Sequence, residues 1–83
     1  MWLLLLPVLL AQSADFDAAG KKALEARNYQ EAIAAFRQAV AADPTDYAAH
    51  FNLGFACTLA GKDADAVEEF KKVLDLHPGL LAR

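Results

Sequence analysis

Cys57 is the one cysteine of this 83-residue chain, and Ser13 the one serine. A thiol acts as a nucleophile when a base stands within hydrogen-bond reach. His50 is seven residues from Cys57, about 10 Å if both share a helix, too far to activate it. Cys57 is therefore expected to be a small buried hydrophobe. Alone, it cannot close an internal disulfide. His50 and His77 lack the paired spacing of zinc ligands and are expected in packing or capping roles, with no metal site. Glu68-Glu69 and Lys71-Lys72 read as a solvated helical face with Glu68 and Lys72 paired four apart. The glycines are isolated and form no phosphate-cradling loop, so no cofactor is implied. Formal net charge is −3, with Lys and Arg scattered among Asp and Glu. Without a basic stripe, nucleic acid is not an expected partner. These residues point to a protein that is not an enzyme.

What positions them is an internal repeat. At an offset of 34, Ser13–Asp46 lies over Tyr47–Leu80 without a gap. Ala14 meets Ala48, Gly20 meets Gly54, Ala26 meets Ala60, Ala32 meets Ala66, Phe36 meets Phe70 and Pro44 meets Pro78. Between them stand the conservative pairs Ile33/Val67, Ala39/Val73 and Val40/Leu74. The coincident residues are small or structural, the kinds that a shared packing arrangement demands twice.

Each unit reads as two helices. In the first, helix A is predicted from about Asp15 to Arg27, with Phe16, Ala19, Ala23 and Ala26 at three- and four-residue steps. Asn28 is the expected N-cap of helix B, with Glu31 completing a capping box. Helix B is predicted to bury Ala32, Ile33, Phe36, Ala39 and Val40 and to stop near Ala42, because Pro44 bars its continuation. In the second unit Asp46 or Thr45 caps helix A, which ends at Ala60 with Gly61 as left-handed terminator. Asp63 is expected to cap helix B, which buries Ala66, Val67, Phe70, Val73 and Leu74 before His77-Pro78. Ala32 and Ala66 are expected where helices A and B approach closely. Gly20 and Gly54, each costing about 1 kcal/mol of helix propensity relative to Ala, imply close contact too.

The pattern resembles the tetratricopeptide repeat family over everything after the first thirteen residues. The second unit carries Asn52-Leu53-Gly54, Ala56, Gly61, Ala66, Phe70, Leu74 and Pro78 at motif positions. The first carries Phe16, Gly20, Tyr29, Ala32, Phe36, Ala39 and Pro44. Departures are Ala19 for the usual leucine, His50 for the usual large aromatic, and Ala23 and Cys57 for the usual tyrosine. The resemblance implies an all-α fold, tandem helix–turn–helix units stacked as a short right-handed α-solenoid. It divides the chain into a first repeat over 14–46, a second over 47–80, and the start of a further helix at 81–83.

In that family successive A helices line a concave groove that takes partner peptides. Carried over by position, the groove shows Asp17, Lys21 and Leu24 from the first unit and Phe51, Asn52, Phe55 and Thr58 from the second. Phe51 and Phe55, four apart, share a helical face, so an aromatic pair can anchor an apolar side chain while Asn52 holds its backbone. The alternative for both rings is cover by a following repeat or a second copy. Some family members grip chaperone C-terminal carboxylates with a lysine and an asparagine from the first unit. Those positions hold Asp17 and Lys21 here, and an acidic residue there repels a carboxylate.

Residues 1–13 stand apart. Trp2 to Leu10 is uncharged and apolar apart from Pro7, the length of a signal-peptide core and well short of the roughly 20 residues that span a bilayer. Small residues at Ala11 and Ser13 set a cleavage site after Ser13. The expectation is a signal peptide, or else an N-terminal membrane anchor or a helix packed on the first repeat. The protein is then exported, periplasmic or secreted, and meets a membrane only through residues 1–13 if these stay attached.

Stacked repeats bury their faces against neighbours, and about three make a stable array. Two are complete here, and Val67 and Leu74 mark an uncapped outer face. The expected function is therefore a non-catalytic module that binds a protein or peptide in its groove. The alternatives are an appendage or N-terminal piece of a longer multidomain protein, enzymes included, or a homo-oligomer joined through the open repeat end.

Overall fold

A computed structural model of the chain describes the backbone of residues 2–80 and the side chains of residues 14–80. Four α-helices follow one another: α1 Trp2–Glu25, α2 Tyr29–Ala42, α3 Tyr47–Leu59 and α4 Asp63–Leu76, then a 3₁₀ turn, Pro78–Leu80. Among the described residues there is no strand. Helices α1 and α2 form one hairpin, α3 and α4 the second, and α2 packs on α3 to join them. The fold is the expected all-α stack of two helix–turn–helix units. The expected start of a third helix at 81–83 lies outside the described residues.

Helix α1 departs from expectation at both ends. It begins at Trp2 rather than near Asp15 and continues through Ser13 without a break. The side chains of residues 2–13, on which the signal or anchor expectation rests, lie outside the described residues. Among those described, no helix is long and apolar enough to cross a membrane. At its C-terminus α1 stops at Glu25, short of Arg27. Arg27 takes a left-handed φ of 62°. Its N–H donates to the Leu24 carbonyl at 3.0 Å, and the Asn28 N–H donates to the Ala23 carbonyl at 2.8 Å. This is a Schellman motif. The second unit repeats it: Gly61 has φ 78°, Gly61 N–H donates to Thr58 and Lys62 N–H to Cys57.

The shared motif explains why two expected caps do not form. The Asn28 N–H is spent on Ala23, so Glu31 cannot reach back to it, and α2 starts without a side-chain cap. In the second unit Lys62 occupies the N-cap position and Asp63 is the first helical residue. Asp63 and Asp65 instead place negative charge at the positive end of α4. The Asp46 cap is formed: its carboxylate accepts from Ala48 N–H at 3.0 Å.

Arg27 does without strain relief what Gly61 does freely. A Cβ in the left-handed region costs roughly 1–2 kcal/mol, partly offset by glycine's greater freedom when unfolded. Arg27→Gly is therefore expected to stabilise the protein by about 0.5–1 kcal/mol in urea unfolding. An unchanged or lower midpoint contradicts that reading.

The core sits between the hairpins. Ala23, Ala32, Ile33, Phe36, Leu53, Ala56, Cys57 and Ala66 form one buried cluster, with Leu24, Val40, Ala60 and Phe70 packed at its edge. A Cβ added to Gly20 would run into the Phe36 ring, and one added to Gly54 would lie 2.7 Å from Phe70. Each glycine is therefore the seat of its own unit's phenylalanine. Ala19 and Ala26, expected inside, are exposed, because no element among the described residues covers that face of α1. The largest correction concerns α4. Val67 is 52% exposed although its counterpart Ile33 is 2% exposed. Leu74 is exposed and Phe70 half-buried, while their counterparts Val40 and Phe36 are half-buried and buried. Helix α3 covers the α2 residues, and nothing among the described residues covers α4.

The two ends of the stack differ. Helix α3 buries Ala49, Leu53 and Ala56, whereas the matching positions of α1 hold Asp15, Ala19 and Lys22, all exposed. Among the described residues the face of α1 is therefore charged, and that of α4 is largely apolar.

Candidate functional site

Helices α1 and α3 bring five of the seven expected groove residues into describable relation. Asp17 accepts a hydrogen bond from the Asn52 amide at 2.9 Å and pairs with Lys21 at 3.1 Å. Asp17 and Lys21 are one turn apart on α1, and Asn52 comes from the next unit, so this network spans both repeats. Asn52 is the residue expected to hold a partner's backbone. Here its NH₂ group is engaged by Asp17, which leaves its carbonyl oxygen to accept. The negative charge of Asp17 is met by Lys21 and by Asn52.

Phe51 and Phe55 are 48% and 44% exposed. They differ in surroundings. The Phe51 ring leans on Phe70 with centroids 5.6 Å apart and planes tilted by 51°. It also lines an apolar cavity of about 180 Å³ with Phe70, Val73, Leu74 and Leu80. Phe51 thus borders the exposed face of α4 as well as lying on the exposed face of α3. Tyr47, Phe51, Phe55 and Leu59 are all exposed and follow at four-residue steps, an apolar stripe along the whole of α3. Tyr47 and Leu59 are additions that periodicity from Phe51 and Phe55 would have supplied. The other two expected residues have partners within the fold. Leu24 is half-buried and packs against the core, and the Thr58 hydroxyl donates to the Gly54 carbonyl of its own helix at 3.0 Å.

The reactive side chains have structural surroundings. Cys57 is buried, and burial pushes its thiol upward, with the nearby Asp65 charge adding to the effect, the reverse of what a nucleophile needs. His50 is buried with Nδ1 2.8 Å from Glu69 Oε1 and Nε2 2.8 Å from the Pro44 carbonyl oxygen. It joins α3 to α4 and to the turn before α3. Lys72 lies 3.4 Å from Glu69, one turn away, so the expected Glu68–Lys72 pair is replaced by one with Glu69. His77 ends α4 and stacks on Tyr47, with centroids 4.8 Å apart. Among the described residues no group of His, Cys, Asp and Glu is arranged to hold a metal ion.

Two antiparallel helical pairs, each seated on a glycine–phenylalanine contact, with exposed side chains gathered along the first helix of each pair, define a tandem-repeat interaction scaffold. The sequence profile described as tetratricopeptide repeat matches residues 18–80, most of the chain, which belongs to the tetratricopeptide repeat family. It is similar to a tetratricopeptide repeat and J domain-containing co-chaperone of Fusarium oxysporum f. sp. lycopersici, 41% identical over 49 residues, 59% of this chain. It is also similar to the STIP1 homolog of Dictyostelium discoideum, 27% identical over 67 residues, 81% of this chain. The chain spans 9% and 12% of the lengths of these two relatives.

Proposed function

We propose that this chain is a non-catalytic protein-binding module that takes a partner segment along the inner face formed by α1 and α3. The apolar stripe of α3 carries the reading: four large hydrophobic side chains are exposed in a row beside the Asp17–Lys21–Asn52 network. Exposed rings in a row are unfavourable in water and favour a partner with apolar side chains. The neighbouring network offers the Asn52 carbonyl oxygen to a partner's backbone N–H.

Two relatives carry the names of a co-chaperone and of a STIP1 homolog. A chaperone's terminal carboxylate is nonetheless a poor match for this groove. Lys21 is already paired with Asp17, whose negative charge would repel a carboxylate brought beside it. We favour an internal or amphipathic segment as the partner. Export is part of the proposal and rests on the apolar run Trp2–Leu10. Amino-terminal sequencing of protein recovered from cells decides it: Ala14 at the start supports cleavage, and intact Met1 in a soluble cytoplasmic fraction overturns it. A second reading, the repeat pair as an appendage within a longer assembly, is favoured by the uncovered apolar face of α4.

Selection of a random peptide display library on the full chain tests the binding proposal. Enriched peptides should carry an aromatic or aliphatic anchor, and Phe55→Ala should weaken them by about 30-fold, the scale of one hot-spot residue. Because Phe55 is exposed, the melting temperature should not change. The proposal fails if nothing is enriched, or if enriched peptides bind Phe55→Ala as tightly as the parent.

A further inference from the structure

We infer that the partner segment is an amphipathic helix, seated with its apolar face on Tyr47, Phe51, Phe55 and Leu59 and with a basic flank beside α1. The inference rests on the groove proposed above and specifies what that groove takes. The four side chains follow at four-residue steps along α3, and all are exposed. Each step advances about 6 Å, so the row is about 18 Å long. Rows at this spacing are the ridges that fit between the side-chain rows of another helix. The apolar side of an extended strand also repeats every 6.6 Å or so, and spacing therefore admits both kinds of partner.

The backbone decides between them. Every residue of a partner brings an N–H and a C=O that need hydrogen-bond partners once water is removed. A strand with its side chains on the row turns those groups to either side of it. On one side lies the apolar cavity that Phe51 shares with Phe70, Val73, Leu74 and Leu80. Toward α1 the polar side chains are already engaged with one another: Asn52 donates to Asp17, and Lys21 pairs with Asp17. The Thr58 hydroxyl hydrogen is spent on Gly54. A helix closes its backbone hydrogen bonds within itself and asks for few of these groups. Only its first-turn N–H groups are left over, and the Asn52 carbonyl oxygen can accept from one of them.

Charge sets the flank. Shifted by the repeat offset, Phe51, Phe55 and Leu59 fall on Asp17, Lys21 and Glu25 of α1, so an apolar lane on α3 runs beside a charged lane on α1. Lys21 is paired with Asp17, and Glu25, the last residue of α1, is exposed. Lys22 lies on the outer face of α1, at the position where α3 buries Ala56, and so stands outside the lane. The lane carries one negative charge in excess, which attracts a lysine or arginine on the adjoining side of the partner helix and opposes an acidic residue there.

Fluorescence anisotropy on the full chain tests this with two labelled peptides of about 14 residues and identical leucine, lysine, glutamine and alanine composition. One sets its leucines at i, i+3, i+4 and i+7 with lysines flanking them; the other alternates leucine with polar residues, the strand pattern. The helix-pattern peptide should bind about tenfold more tightly, the scale of one backbone group left unpaired, and gain helical circular dichroism on binding. Phe55→Ala should weaken it by about 30-fold. Equal or tighter binding of the strand-pattern peptide, still weakened by Phe55→Ala, overturns the helix and leaves the groove standing. If neither peptide binds, or both bind Phe55→Ala as tightly as the parent, the groove fails and the inference with it. Weakening by Val67→Asp and not by Phe55→Ala puts the helix on α4 and overturns the inference. Glutamates in place of the flanking lysines should weaken binding about threefold, and Glu25→Lys should abolish that preference. A preference that Glu25→Lys leaves unmoved overturns the basic flank.

Discussion

Phe36→Ala is expected to cost about 3–5 kcal/mol and to leave the chain largely unfolded at room temperature. The Phe36 ring is fully buried and rests on Gly20 of α1 while packing into the cluster that joins the hairpins. Removing it opens a void between three helices that are each held elsewhere, so the cavity cannot collapse. A domain of this size has a total stability of only about 3–10 kcal/mol, so the loss is comparable to the whole. Phe70→Ala is the internal control, because it makes the same chemical change at the matching position of the other unit. Phe70 is half-buried and borders an open cavity, so its truncation should cost only about 1–2 kcal/mol. Urea unfolding followed by far-ultraviolet circular dichroism compares the two. Equal losses would show that the α4 face is covered in solution, by a second copy or otherwise.

Ala66→Leu is expected to cost about 1–3 kcal/mol, by overpacking. Ala66 is buried in the cluster where α4 meets its neighbours, and three added carbons must push α4 outward. Helix α4 has nothing on its far side among the described residues, so part of that push is relieved by movement, and the lower half of the range is expected. Ala32→Leu makes the same insertion in α2, which lies between α1 and α3 and has nowhere to go. It should reach the upper half. Melting temperatures should fall by about 4–8 °C for each kcal/mol lost. An unchanged melting temperature for Ala32→Leu would mean that the closest helix approach lies elsewhere.

Most of the fold was legible because repeats announce their packing twice. Gly20 and Gly54 marked a close approach on each A helix, though not that a phenylalanine ring fills it, and Pro44 and Pro78 mark where the B helices stop. What was misread depends on information that no single unit contains. Val67 and Leu74 have the spacing of core residues, and their counterparts in α2 are core residues, but burial also requires a neighbour, which α2 has and α4 lacks. The caps at Asn28 and Asp63 were misassigned for a local reason. The short connection between helices spends its backbone N–H groups on closing the preceding helix, and Arg27 gave no sign of a left-handed residue that its partner Gly61 announces.

The candidate site was legible in part. Four-residue spacing placed Phe51 and Phe55 on one helical face, while Asp17 and Asn52 came from the family resemblance and not from spacing. The hydrogen bond between those two crosses the repeat boundary, which no spacing within one unit reveals. The tie from His50 to Glu69 was equally hidden, since helical spacing relates residues within one helix and this contact joins two.

The mismatch between the ends of the stack gives the molecule a direction. Copies joined head to tail would set α1 of one on α4 of the next, stripping water from Asp15 and Lys22 against a surface dominated by Val67, Phe70 and Leu74. That penalty works against open-ended fibres, the usual hazard of a heterologous contact. The described parts of the two end helices therefore offer a neighbour different chemistry, charged at Asp15 and Lys22 and largely apolar at Val67 and Leu74.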